Sequence, residues 1–186
     1  MKAKPSVERE LKFPAVDPDR LRERLRELEA ERIHSGALED NWVLDRNGTL
    51  QHANCLLRLR KVSHGAFLTY KGPATFEGKT KLRVEHETGV SDAEATRALF
   101  EALGYAVVRR FQKVRETWQL GGVQISFDHT PIGDFVEFEG AGAEKLARRC
   151  ELDLEDAERR SYLRLYQDHL EAHPGAPPDM VFADRE

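Results

Sequence analysis

Charged residues fall on alternate positions of segments that otherwise read as β-strands, a period of two that puts one set of side chains on one face of a sheet. The pattern runs through Val7-Glu8-Arg9-Glu10-Leu11-Lys12-Phe13, Leu57-Arg58-Leu59-Arg60, Lys81-Leu82-Arg83-Val84-Glu85-His86-Glu87 and Phe135-Val136-Glu137-Phe138-Glu139. It predicts strands over about 6–13, 38–45, 55–62, 66–71, 79–88, 105–120, 123–128 and 132–139. Asn47-Gly48, His64-Gly65 and Gly121-Gly122 supply turns, and Gly72-Pro73 breaks a strand.

Helices are fewer. Asp17 caps a helix with Pro18 in its first position and an apolar stripe of Leu21, Leu25 and Leu28, running to about residue 32. Ser91 and Glu94 form a capping box for a second helix, with Leu99 and Leu103 facing inward and Gly104 ending it. Shorter helical pieces follow over 143–150 and from Leu154. Ser161 caps a last helix with Leu163, Tyr166 and Leu170 on its apolar face, and His173-Pro174 ends it. The expected organisation is a single domain over 1–173 and a proline-rich tail over 174–186.

The fold class is therefore α+β, mainly β, with about eight antiparallel strands and no βαβ repeat. The helices need the apolar side of the sheet. The charged side is then either bare to solvent or rolled inward, and eight strands suffice for a closed or nearly closed barrel with helices packed outside. That face carries Glu8, Glu10, Lys12, Arg58, Arg60, Lys71, Lys81, Arg83, Glu85, Glu87, Lys113, Arg115, Asp128, Glu137 and Glu139. Acids dominate the first and last strands, and most bases lie between. Bunched carboxylates repel unless a cation sits among them, and they are the hard oxygen ligands that Mg²⁺ and Mn²⁺ prefer. Converging Arg and Lys side chains match the oxygens of a polyphosphate.

Composition narrows the alternatives. The chain has 186 residues, a third of them charged, with a formal net charge of -4, which gives no case for nucleic acid as the default partner. No apolar run is long enough to span a membrane and no secretory signal is visible. Two widely spaced cysteines, Cys55 and Cys150, indicate no disulfide framework, so a reduced, cytoplasmic setting is expected. Gly78-Lys79-Thr80 lacks the spacing of a P-loop, and the seven histidines show no zinc-like pattern; His86 is expected to pack on the apolar face of its strand.

The ordered blocks resemble the CYTH superfamily, the triphosphate tunnel metalloenzymes. They are Glu8-x-Glu10-x-Lys12, Leu57-Arg58-Leu59-Arg60, Thr69-Tyr70-Lys71-Gly72-Pro73, Lys81-x-Arg83-x-Glu85-x-Glu87, Lys113-x-Arg115 and Asp128 with Gly133-x-Phe135-x-Glu137-x-Glu139. Ser161-Tyr162 resembles the start of the family's final helix. The resemblance implies an eight-stranded antiparallel tunnel acting on a triphosphate with Mg²⁺ or Mn²⁺. It makes Glu8, Glu10, Glu137, Glu139 and Asp128 the expected metal residues. Arg58, Arg60, Lys71, Lys81, Arg83, Lys113 and Arg115 are expected to hold the triphosphate, and Lys12, Glu87 and Asp128 to serve the chemistry.

Hydrolysis of inorganic tripolyphosphate or of a nucleoside or thiamine triphosphate needs the fewest special features and is the first expectation. A class IV adenylyl cyclase converting ATP to cyclic AMP and pyrophosphate is the alternative. A non-catalytic polyphosphate- or nucleotide-binding module is the alternative of another class. The expected partner is a small-molecule triphosphate, with a homodimer left open and no membrane.

Overall fold

The structure, a computed structural model, describes residues 6–15 and 17–183; the ends 1–5 and 184–186 of the expected domain and tail lie outside the described residues. Nine strands form one antiparallel sheet: β1 (Ser6–Pro14), β2 (Glu31–Asp45), β3 (Leu56–Val62), β4 (Gly65–Lys71), β5 (Thr75–Glu77), β6 (Thr80–Val90), β7 (Ala106–Leu120), β8 (Val123–Thr130) and β9 (Gly133–Glu139). Their order is β1-β9-β8-β7-β2-β3-β4-β6-β5, and β1 also pairs with β6. That last ladder, with Glu8 opposite Arg83 and Glu10 opposite Lys81, closes eight strands into a barrel. The ninth, β5, is a short strip on β6.

Closure sends the apolar residues outward to the helices. Helices α1 (Pro18–Glu27) and α4 (Ala143–Arg149) cover one side of the barrel. There Leu21, Leu25, Leu146 and Ala147 pack on Leu11, Phe13, Ile125, Phe127, Val136 and Phe138. On another side Leu44, Leu57, Leu59 and Ala66 pack with α3 (Ala93–Ala102) and α2 (Thr49–His52) through Ala93, Phe100 and Leu50. Among the described residues no helix is long and apolar enough to cross a membrane, and Cys55 and Cys150 are unpaired.

Several local expectations are corrected. Helix α1 stops at Glu27, five residues early, because Glu29 takes a left-handed φ of 60° and Ala30 donates back to the Leu25 carbonyl at 2.9 Å. This is a Schellman-type end built without glycine. Strand β2 therefore starts at Glu31; its first six residues are exposed and carry no buried alternation to read. Its pairing with β7 contains three register shifts.

Helix α3 is capped by Asp92, which accepts from the Ala95 N–H at 3.0 Å, and not by a Ser91–Glu94 box. Leu99 and Leu103 are 59% and 56% exposed, so they do not face inward; Ala93 and Phe100 do that work. His86 is exposed and stacks on Tyr70 outside the barrel.

One end of the barrel is plugged. Helix α5 (Tyr162–Ala172), capped by Ser161, lays Tyr162 and Tyr166 against Val43, Phe111 and Phe135, and Met180 completes the cluster. Met180 arrives from beyond α5 because β7 outruns β8 at this end: their pairing reaches only Val114 and His129. The chain after α5 covers that free edge, with Gln112 N–H donating to the Met180 carbonyl (2.7 Å) and Met180 N–H to the Arg110 carbonyl (3.1 Å). The Tyr166 hydroxyl donates to the Pro177 and Asp179 carbonyls at 2.7 and 3.0 Å. Covering an exposed strand edge in this way satisfies its polar groups.

Because Met180 is almost fully buried, Met180→Ala is expected to cost about 2–4 kcal/mol of unfolding free energy. Denaturant titration checks this, and a loss under about 0.5 kcal/mol would show that this segment is not part of the packed unit.

Candidate active site

The barrel encloses a cavity of about 690 Å³ lined by eight bases and seven acids. Every residue singled out on the charged face lines it except Asp128, which stands opposite Arg115 on the same face and is covered by Lys113, Arg115 and Tyr162. The inward positions follow from the pleat: Glu8, Glu10 and Lys12 on β1, Arg58 and Arg60 on β3, Lys71 on β4, and Lys81, Arg83, Glu85 and Glu87 on β6. Lys113 and Arg115 come from β7, and Glu137 and Glu139 from β9.

The plugged end carries the most deeply buried charges. Asp128, on β8 with 1% exposure, accepts from Lys113 Nζ (3.0 Å), from Arg115 Nε and Nη2 (2.6 and 2.5 Å) and from the Tyr162 hydroxyl (2.7 Å). Arg115 Nη2 also reaches Glu137 at 2.5 Å. Burial alone would lower the Arg115 pKa, but Asp128 and Glu137 raise it well above its ordinary value. Conversely, burial would raise Glu137, yet Arg115, Lys113 and Lys12 hold it well below the usual carboxylate range.

Lys12 is also buried. Its Nζ lies 4.0 Å from Glu10, 3.9 Å from Glu137 and 4.4 Å from the centre of the Tyr162 ring. Burial pushes its pKa down, opposed by Glu10 and Glu137 and reinforced by Lys81 and Lys113. A lysine in that position is closer to releasing its proton than one in water.

The middle of the cavity holds Arg58 and Arg60. Arg58 donates to the Thr69 hydroxyl at 3.3 Å and stands 3.6 Å from Glu87, while Arg60 bridges Glu39 and Glu87, each at 3.2 Å. Burial lowers the Arg58 pKa and neighbouring Arg60 lowers it further. The Nε atoms of both arginines are buried without a hydrogen-bond partner. Arg83 instead donates to the backbone carbonyls of Gly72 and Asn54, at 2.5 and 3.0 Å.

The remaining acids are less well balanced. Lys71 serves both Glu8, at 3.1 Å, and Glu85, and Lys81 stands 3.7 Å from Glu10. Burial and a hydrogen bond with Glu85 raise the Glu8 pKa. Burial, with the charges of Glu8 and Glu10 against it, raises Glu139 to about 7, and the β1–β9 ladder sets Glu10 directly opposite Glu139.

These partly compensated carboxylates are a donor set suited to a hard divalent cation. Among the described residues, no group of three or more His, Cys, Asp or Glu side chains is gathered tightly enough to hold a metal ion in this arrangement. Glu8, Glu10 and Glu139 fit a cation by chemistry; Glu137 and Asp128 are already committed to bases.

Two residues at the site escaped the sequence reading. Glu39 of β2 is buried among the bases, where burial would raise its pKa but Lys113, Arg115, Arg60 and Arg58 draw it down to about 2. Its signal was available, because Trp42 and Leu44 facing out put Glu39, Asn41 and Val43 on the other face. Tyr162 was read only as the start of a helix. Among the aromatics, Phe67 lines the cavity, with the Arg60 guanidinium 5.2 Å from its ring centre. Trp42 lies under Lys61 and Arg97, and Phe76 under Arg159, and neither lines the cavity.

Comparison with known proteins agrees with this geometry. A putative adenylate cyclase of Methanocaldococcus jannaschii is 29% identical over 134 residues, 72% of this chain and 76% of that protein. The PH1819 protein of Pyrococcus horikoshii has the same fold with a TM-score of 0.73 and 29% identity, over 87% of this chain and 99% of that one. A putative adenylate cyclase from Vibrio parahaemolyticus, 23% identical, shares the fold at a TM-score of 0.75 over 88% of this chain and 99% of its own. Residues 6–162 match the CYTH domain, and with that match spanning most of its length this chain belongs to the CYTH domain family.

Proposed function

We propose that this protein is a divalent-cation-dependent enzyme acting on a nucleoside triphosphate, with the triphosphate inside the barrel and the nucleoside at its mouth. The observation that carries this reading is the convergence of eight bases on one enclosed cavity that also holds half-compensated carboxylates. With seven acids beside them, the bases alone leave little net positive charge for a polyanion, so a cation at Glu8, Glu10 and Glu139 completes the balance. A bound Mg²⁺ or Mn²⁺ would supply positive charge to the phosphoryl oxygens as charge develops there.

Between the two reactions, formation of cyclic AMP is favoured over the hydrolysis expected from sequence. The Methanocaldococcus relative carries the name of an adenylate cyclase. The cavity is also lined by Ile33, Val62 and Phe67, an apolar contribution that suits an organic group rather than bare tripolyphosphate. In this reading Arg58, Arg60, Lys71, Lys81, Arg83, Lys113 and Arg115 grip the phosphates. The ribose 3′-oxygen attacks the α-phosphorus, pyrophosphate leaves, and the hydroxyl proton passes to Lys12 Nζ after that amine has released a proton of its own, which its lowered pKa favours.

Asp128 and Tyr162 act by holding Lys113 and Arg115, and Glu87 by orienting Arg58 and Arg60. Hydrolysis remains the second reading, supported by the exposed Ser63–Gly65 turn between β3 and β4, which leaves the nearby rim open to water. A binding module without catalysis would have less use for Lys12, whose Nζ lies within 4.0 Å of two carboxylates.

Product analysis after incubation with ATP and Mg²⁺ or Mn²⁺ is expected to give cyclic AMP and pyrophosphate. ADP and phosphate without cyclic AMP would select hydrolysis, and no product at all would leave only binding. Lys12→Met should lower kcat by about 10²–10⁴-fold with little change in KM; unchanged kcat would remove Lys12 from the chemistry.

Glu139 gives a pH prediction. Its folded pKa of about 7 exceeds the ordinary 4.5, so between those values the folded chain holds a proton that the unfolded chain has lost. Metal-free stability should therefore fall as pH rises across that interval. Glu139 must lose the same proton before its oxygen is free for a cation, so the metal concentration for half-maximal activity should be higher at about pH 6 than at about pH 8. A metal requirement that ignores pH would contradict the assignment.

A further inference from the structure

Glu39 has no evident place in a phosphate-binding wall. It sits on β2, with Lys113 of β7 directly opposite in the ladder on one side and Arg60 of β3 reaching it from the other. One carboxylate oxygen accepts from Arg60 Nη1 at 3.2 Å. The second lies 3.7 Å from Lys113 Nζ, too far for a hydrogen bond, and is buried without a donor.

Beside it the Nε atoms of Arg58 and Arg60 are also buried and unused. A carboxylate kept for structure alone would satisfy its neighbours, as Asp128 does with four donor contacts from Lys113, Arg115 and Tyr162. Glu39 holds its bases loosely, and their spare donors stay free for another anion.

We propose that Glu39 is a built-in competitor of the substrate: a fixed negative charge among the phosphate-gripping bases that weakens anion binding and speeds product release. The inference rests on the triphosphate reading of the same cavity. Four bases keep Glu39 ionised at any working pH, because they draw its pKa to about 2 against the effect of burial. When a phosphate chain enters, Arg60 turns from Glu39 to the incoming oxygens, and the stranded carboxylate repels the bound anion. When the product loses contact, Glu39 recaptures Arg60. Tight product binding is a standing hazard for a site with eight bases, and an internal anion offsets it.

The test is calorimetric titration of inorganic tripolyphosphate with Mg²⁺ into the full-length wild type and the Glu39→Gln variant. Glu39→Gln is expected to bind at least tenfold more tightly, with kcat and KM for ATP turnover both reduced as release becomes limiting. Glu87, which shares Arg60 with Glu39 from a more exposed position, is the comparison, and Glu87→Gln should tighten binding less than threefold.

Unchanged or weaker binding by Glu39→Gln would overturn the proposal, as would equal tightening by Glu87→Gln, which would assign the effect to bulk charge. Circular dichroism checks the fold, and Glu39→Met, close in volume, gives the same reading if the amide variant does not fold. If wild type binds tripolyphosphate and neither Glu39 variant binds it more tightly, only this inference fails. If wild type does not bind it, the triphosphate reading fails and this inference falls with it.

Discussion

Buried charge must be paired, and this fold depends on that constraint more than on any other. Rolling the sheet so that its charged face points inward removes some fifteen ionisable side chains from bulk water. A barrel with such a lining is stable only if the charges neutralise one another at close range. Asp128 shows the solution in its tightest form: one carboxylate gathers Lys113 and Arg115 from the neighbouring strand and the hydroxyl of Tyr162 from the plug. Removing that carboxylate would leave Lys113 with no hydrogen-bonded acid and Arg115 with Glu137 alone. The same contact ties the plugging helix to the cavity, so the closed end and its buried bases form one unit.

Further from the plug the pairing loosens, and function enters through that looseness. Lys71 is shared by two glutamates, burial and neighbouring carboxylates push Glu8 and Glu139 upward, and two guanidinium Nε atoms have no partner. A folded wall left with surplus carboxylate on one strand pair and unspent donors on another is the basis for proposing that it takes up a cation and an anion. Electrostatic preorganisation of this kind places donors in advance of the charge they will meet.

Much of this was legible in the sequence because period-two alternation reports a face directly. Once Leu11 and Phe13 were assigned to the outside, Glu8, Glu10 and Lys12 had to face the other way, and the structure keeps that division. What alternation does not report is how far a face is covered. Leu99 and Leu103 make an apolar pair four residues apart, yet both are exposed, because the barrel meets α3 through Ala93 and Phe100.

Helix ends without their usual residues were equally silent: Glu29 does the work of a glycine in ending α1, which hid the first half of β2. Glu39 lies just beyond that hidden stretch. The role of Met180 was illegible for another reason, since its burial comes from the excess length of β7 over β8, a property of two strands compared rather than of any local segment.

The central claim is that the inward face holds a triphosphate together with a divalent cation. A crystal structure of the protein grown with tripolyphosphate and Mn²⁺ tests it most directly, because Mn²⁺ is identified by its anomalous scattering. The account predicts a manganese peak bounded by Glu8, Glu10 and Glu139, and a phosphate chain running along Arg58, Arg60, Lys113 and Arg115. A tripolyphosphate found only on the outer surface, or manganese bound away from those three glutamates, would contradict it.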